Sequence, residues 1–555
     1  MMREVLVALG GLPLALCPPA VRPDLVRERD RLVRLLTGIA ARASEPDAAL
    51  LAVVAGGSGA GKSTLVNSLA GTRVAATGVL RPTTRVPTLV THPTDLDAFA
   101  ADRVLPGLAR VDADAPGDPV GRQVRLATGP QLAPGLGLLD TPDVDSVEHS
   151  HHHLAQEALD AADVWVWLVT ARSYADEAGM RLLRQARRRQ ALIVVVVTHV
   201  DAADRTEICA DLDRLLATEG IVTARQVVVP RLPVSDGRLP PGTTDELAAW
   251  LAALATPDRR REVRTQALEG LRRALPDELA ALTAAVHDES EAADRLAATL
   301  DARFATVADR LDAELEAGLS LRSDVLERWR RLAADSPLTT RLQSTAEQLG
   351  TLLRGRLGRP ATASSAEVRA EIGTQLVETL ERLLDEAGRR LRADFEADPA
   401  GRRLLDATPA LRDHDLSERR TAINRLVNDW QADLAELLAE IGGPRLSGAR
   451  RASTAINAVA TSAILVLFSL SGGLTGGEVG IAAGAAATSQ YVLTRLLGER
   501  ALRDLLAQAR TRLHERVAEQ VLRERAPFDT AVQAARPDPD AVATLTAATG
   551  RPVRP

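Results

Sequence analysis

An apolar run, Leu50–Ala55, passes directly into Gly56-Gly57-Ser58-Gly59-Ala60-Gly61-Lys62-Ser63 and then into a helical stretch that begins at Thr64. Few folds accommodate that order. The glycines let the loop curl back on itself, so that its N–H groups and the start of the helix point into one small hollow suited to a phosphate. Lys62 is the only lysine in the chain, every other basic residue being arginine. A chain that otherwise avoids lysine keeps it where a compact ammonium is needed and a planar guanidinium does not substitute. The pattern predicts that Gly56 to Thr64 wraps nucleotide phosphates. Lys62 would meet the β and γ oxygens, and the Ser63 hydroxyl would bind Mg²⁺.

The texture around this loop predicts the rest of the fold. Five short apolar runs, Leu50–Ala55, Leu136–Asp140, Val164–Val169, Leu192–Thr198 and Gln226–Val229, alternate with helical stretches, as buried parallel strands do. From about residue 257 onwards, apolar residues recur at helical spacing instead, as in Leu296, Leu300, Phe304, Val307 and Leu311. Aromatic residues make up only 2% of 555, so the cores are built from Leu, Val and Ala, which favours helices. The expected architecture is an α/β P-loop GTPase domain, its mostly parallel sheet covered by helices on both faces, followed by an all-α stalk or bundle with a hydrophobic helical hairpin. The expected divisions are an N-terminal helical segment joining the bundle (1–45), the GTPase domain (46–256), a helical stalk (257–450), the hairpin (451–498), a returning stalk helix (499–534) and a disordered tail (535–555).

Three further segments complete the expected site. Leu138-Leu139-Asp140-Thr141-Pro142-Asp143 is a strand ending in an aspartate that would hold Mg²⁺ through water, with Asp143 where a glycine is usual. Arg81-Pro82-Thr83-Thr84-Arg85 lies where a threonine, taken as Thr84, would cap the metal and orient the attacking water. Thr198-His199-Val200-Asp201 ends a strand and is similar to the guanine-specificity motif, normally Asn/Thr-Lys-x-Asp. Asp201 would accept from guanine N1–H and N2–H, a pairing adenine cannot offer, and His199 replaces the lysine that packs along the base. Val234-Ser235-Asp236 would supply a backbone contact to guanine O6, through Ser235. An ATPase is the alternative that the missing lysine leaves open.

Two apolar stretches, Ala452–Leu470 without any charge and Val479–Leu497 with Arg495 alone near its end, are joined by a Gly-rich turn. Each is close to the ~20 residues that cross a bilayer. Arg445, Arg450 and Arg451 precede the first, Arg495, Arg500 and Arg503 lie at or beyond the end of the second, and Glu478 at the turn is the only charge between them. Basic flanks place both ends at a cytoplasmic face and attract anionic lipids. The alternative is that the hairpin is the interior of a soluble bundle. A net charge of −6 argues against nucleic acid as a partner. Cys17 and Cys209, without metal or redox spacing, fit a reducing cytosol, and Val5–Cys17 does not read as a secretion leader, since Arg3 is balanced by Glu4 and a bulky residue precedes Cys17. His149, His151, His152 and His153 sit side by side and are read as solvated surface, not a metal site.

In motif order, preceding helix, long helical region and hairpin, the chain resembles the bacterial dynamin-like GTPases. The resemblance implies a GTPase head converting GTP to GDP and phosphate, a helical stalk, a membrane-binding hairpin, and a homodimer or higher homo-oligomer, or a pairing with a homologue, that remodels membranes from the cytoplasmic side. The chain departs from that family at the third P-loop position, where Ser58, followed by Gly59, stands in place of a polar catalytic residue followed by serine.

Overall fold

The structure, a computed structural model, describes residues 2–45, 47–77, 86–100, 104–112, 122–142, 149–201, 203–317, 327, 329–331, 360–413, 416–446, 452–471 and 485–550. In chain order its elements are α1 (Met2–Gly10), α2 (Arg22–Ser44), β1 (Leu50–Gly56), α3 (Lys62–Ala70), β2 (Thr88–Thr91), α4 (Leu96–Ala100), β3 (Ala109–Asp112), β4 (Gln123–Thr128), β5 (Leu136–Asp140), α5 (His149–Ala161), β6 (Val164–Thr170), α6 (Glu177–Arg188), β7 (Leu192–Val200), α7 (Arg205–Thr218), β8 (Arg225–Pro230), α8 (Asp245–Leu254), α9 (Pro257–Ala317), α10 (Pro360–Ala397), α11 (Pro399–Ala407), α12 (Leu416–Leu446), α13 (Ala452–Ser471), α14 (Ala485–Leu497), α15 (Glu499–Ala535) and α16 (Pro539–Thr549). The chain divides into two compact units, one made of residues 1–14, 19–288 and 537–555, the other of residues 15–18 and 289–536.

The first unit is built on one sheet of order β3-β4-β2-β5-β1-β6-β7-β8. β2 runs antiparallel to β5, and the remaining pairings are parallel. Successive side chains of a strand point to opposite faces, and β1 is apolar on both. Leu50, Ala52 and Val54 pack with Leu65, Val66 and Leu69 of α3 and Leu247 and Leu251 of α8. Leu51, Val53 and Ala55 pack with Leu159 of α5, Leu183 of α6 and Leu212 of α7 on the other face. Parallel strands covered on both sides end at one common edge, where ligands of open α/β sheets bind. That edge gathers Gly56 from β1, Asp140 from β5 and Thr198 from β7.

Residues 1–45, expected to join the helical bundle, lie almost wholly in the first unit. Both helices bury an apolar face, with Val5 and Leu9 of α1 and Leu32, Leu35 and Ile39 of α2, and two arginines fix α2 in place. Arg31 of α2 pairs with Asp160 at 2.9 Å, and Arg42 donates to the Ala161 carbonyl at 2.8 Å, both at the end of α5. The stretch read as a disordered tail contains α16. Its first turn is capped by the Asp538 carboxylate, which accepts from Asp540 N–H at 3.0 Å, and Ala541 and Leu545 are buried against the packing partner α1.

The second unit is helical around a single core that runs from Leu16 to Ala535. α13 forms as expected over the first uncharged stretch, but residues 459–469 are buried without interruption, packed on α10, α12 and α14. A helix without charge on any side needs cover on every side, and here other helices supply it. Burying Ile464, Leu465 and Phe468 contributes about 1.5–3 kcal/mol each. Phe468 lies 5.2 Å from Trp430, centroid to centroid, and Ser462 Oγ donates to the Ser365 carbonyl at 3.2 Å. α14 is shorter than the second predicted stretch, spanning Ala485–Leu497, while residues 472–484 lie outside the described residues. No helix among the described residues is long and apolar enough to cross a membrane.

Candidate active site

The P-loop follows β1 as the sequence predicts. Gly56 has φ +155°, and a Cβ there would stand 2.3 Å from the Leu168 carbonyl oxygen, so only glycine lets the loop leave the sheet this close to β6. Gly61, at φ +90°, turns the chain into α3, whose first residue is Lys62. Lys62 is 5% exposed, and its ammonium donates to the carbonyls of Gly56 at 2.9 Å and Gly57 at 3.1 Å. The loop thus curls around its own cation. Ser63 Oγ donates to Asp140 Oδ2 at 2.7 Å, and Asp140 is fully buried. The hydroxyl from one strand–helix junction and the carboxylate from another therefore meet beside the loop. Thr141 Oγ1 donates to the Val54 carbonyl at 2.8 Å, tying the end of β5 to β1.

At the far side of the loop, Thr198 is buried and its hydroxyl donates to the Ala60 carbonyl at 2.9 Å. The ladder between β7 and β8 slips between Thr198 and Val200, and His199, in the slip, adopts φ +59°. This left-handed bulge brings the ring to the loop, with Nε2 3.3 Å from the Gly59 carbonyl. A carbonyl only accepts, so Nε2 is the protonated nitrogen of that contact. Asp201 is exposed and lies 3.8 Å from Arg231 Nε.

The structure therefore brings together Gly56, Gly57, Ser58, Gly59, Ala60, Gly61, Lys62, Ser63, Thr64 and Asp140, with Thr198 and His199 docked on the loop and Asp201 just beyond. Ser235 lies in a tight turn beyond β8. Its N–H donates to the Arg238 carbonyl at 3.0 Å, and Arg238 N–H donates back at 3.0 Å, closing a two-residue turn in which Asp236 and Gly237 both have positive φ. Thr84, with the whole of Arg81–Arg85, and Asp143 lie outside the described residues, as do the side chains of His149, His151, His152 and His153.

Two residues beside the site, Asn67 and Arg231, belong to no motif. Asn67, fully buried on α3, accepts from Val74 and Ala75 N–H at 2.9 and 2.8 Å and donates to the carbonyls of Ala75 and Gly237, so it fastens the segment after α3 to the turn at Gly237. An asparagine inside a helix that follows a P-loop was the available signal. Arg231 has no such signal.

Residues 51–199 match the family described as 50S ribosome-binding GTPase. No curated protein matches the chain. Among solved structures, the chain is similar to a member of an oligomerised bacterial dynamin pair, at 12% identity and a TM-score of 0.38, over 95% of this chain and 92% of that one. It is similar to LeoA, a bacterial dynamin GTPase from ETEC, at 12% identity and a TM-score of 0.22, over 99% of each chain. It is also similar to Era in complex with MgGDPNP and a 16S ribosomal RNA segment, at 17% identity and a TM-score of 0.25, over 37% of this chain and 56% of that one. With the matched region running from β1 through the P-loop into β7, the chain carries a P-loop GTPase domain.

Proposed function

We propose that this chain is a dynamin-type GTPase, in which Gly56 to Thr64 binds the phosphates of GTP and hydrolysis to GDP and phosphate is coupled to self-association and to binding an anionic membrane surface. The observation that carries the nucleotide part is the meeting of Ser63 Oγ and Asp140 Oδ2 at 2.7 Å beside Lys62. Two hard oxygen donors, one a buried carboxylate, fit Mg²⁺, which keeps several waters and binds few protein ligands. Bound there, the ion would neutralise charge on the β and γ oxygens. Lys62 brings its ammonium to the same oxygens, the backbone N–H groups of Ser58 to Ser63 line the phosphates, and Asp201 selects the base. Thr84 is the residue we assign to orienting the attacking water, with Ser58 as the polar group at the third loop position.

Membrane binding is assigned to the Ala452–Leu497 region, on the strength of an uncharged helix between arginine-rich flanks. We place this action at the cytoplasmic face, through homodimers or larger assemblies of this chain or a paired homologue. The burial of α13 favours a second reading, a soluble switch GTPase whose partner is a protein. Hydrolysis and co-sedimentation of the whole chain with phosphatidylserine vesicles, measured without nucleotide, with GDP and with a slowly hydrolysed GTP analogue, separate the two. Nucleotide-dependent co-sedimentation and faster hydrolysis on vesicles are expected. Failure to co-sediment in every state leaves the soluble switch.

A further inference from the structure

An arginine, Arg231, stands beside Asp201. Arg231 is the first residue beyond β8, and its N–H donates to the Val200 carbonyl at 3.1 Å, so its backbone is fixed to the residue before Asp201. Its Nε stands 3.8 Å from Asp201 Oδ1, and the two side chains are 58% and 62% exposed. Two further arginines among the described residues, Arg73 and Arg238, are engaged elsewhere. Arg73 and Arg238 both face Asp236, at 3.9 and 3.5 Å, and Arg238 also donates to the Gly71 carbonyl at 2.7 Å. The Ser235 N–H, the donor expected for guanine O6, is spent inside its own turn.

Guanine carries N2–H, N1–H, O6 and N7 in that order along its edge. A carboxylate accepting from the first two leaves two acceptors facing whatever stands beside it, and a guanidinium is the side chain whose donors match O6 and N7. We propose that Arg231 is a second base-specificity residue of this GTPase, donating to guanine O6 while Asp201 accepts from N1–H and N2–H. Adenine presents an amino donor in place of O6, so Arg231 would face it unpaired, and discrimination is set by two oppositely charged side chains. This assignment rests on the reading of Asp201 as the guanine acceptor.

The test compares GTP, 6-thio-GTP and ATP, whose dissociation constants are measured by calorimetry with Mg²⁺ for the wild type, Arg231→Ala and Arg231→Lys. 6-Thio-GTP keeps N1–H and N2–H but replaces O6 by a weaker acceptor. The wild type should bind it about tenfold more weakly than GTP. In Arg231→Ala that gap closes because GTP affinity falls while ATP affinity does not, and Arg231→Lys restores part of it. If Arg231→Ala weakens all three nucleotides equally, the residue stacks on the base or merely supports Asp201, and the assignment is wrong. A gap that persists in Arg231→Ala, with guanine preference intact, overturns it alone. A wild type that binds ATP as tightly as GTP overturns the Asp201 reading with it.

Discussion

Ser63 and Asp140, 77 residues apart in sequence, share a hydrogen bond of 2.7 Å at the mouth of the P-loop. A hydroxyl and a carboxylate at this distance can turn together onto one cation, so each should matter only when the cation is present. Asp140→Asn should remove the gain in GTP affinity that Mg²⁺ gives over EDTA and slow turnover on the order of 100-fold. Equal Mg²⁺ dependence in variant and wild type would show that Asp140 is not part of the metal site.

Lys62→Ala should abolish detectable binding of a fluorescent GTP analogue. Lys62 is the chain's one ammonium side chain, and its Nζ lies within 3.1 Å of two carbonyls of the loop it serves. Arginine should not rescue it, because a planar fork does not fit inside a loop that encloses a point charge. Wild-type affinity in either variant would sink the P-loop argument.

Asp201→Asn should weaken GTP and favour xanthosine triphosphate, whose 2-oxo group needs a donor where guanine offers one. Competition between the two nucleotides for one labelled probe reads this directly. An unchanged preference would mean that the base is recognised elsewhere.

Much of this was legible in the sequence, and the gaps have physical causes. The strands at Leu50, Leu136, Val164 and Leu192 are nearly continuous apolar runs because both sheet faces are covered, and β8, at the sheet edge, keeps only its Val227–Val229 core. β3 and β4 escape that reading, since Ala109-Arg110-Val111-Asp112 and Gln123–Thr128 lie at the half-exposed end of the sheet and alternate with polar residues. β2 is only Thr88–Thr91, too short for a periodicity. α16 was legible in Asp538-Pro539, a capping acid followed by proline at the first helical position, which the Pro/Ala/Thr-rich composition obscured. Arg231 and the His199 contact could not be read, because both depend on how β7 and β8 slip against each other.

A second group of charges governs stability. Asp160 is buried, which opposes its charge, yet Arg189 and Arg31 hold its carboxyl below the ordinary carboxylate range. Glu278 is likewise lowered, burial being outweighed by Arg189 and Arg31. Groups lowered on folding stabilise above their unfolded values, near pH 4, and that contribution is lost as pH falls further. Arg189→Met leaves Asp160 buried with less compensation and should cost about 3–5 kcal/mol at pH 7. Its thermal stability should then fall less than that of the wild type on acidification. Parallel acid profiles for the two proteins would show that Arg189 does not set the Asp160 carboxyl.

A buried, solitary lysine also makes this chain its own reporter. An amine-selective reagent has one side chain to modify, and an endoprotease that cuts only after lysine has one internal bond to cut, between Lys62 and Ser63, at the junction of loop and helix. Neither reaches its target while the P-loop is closed around the ammonium. The rate at which the intact band splits in two therefore measures how often that junction opens, without any label or added tag.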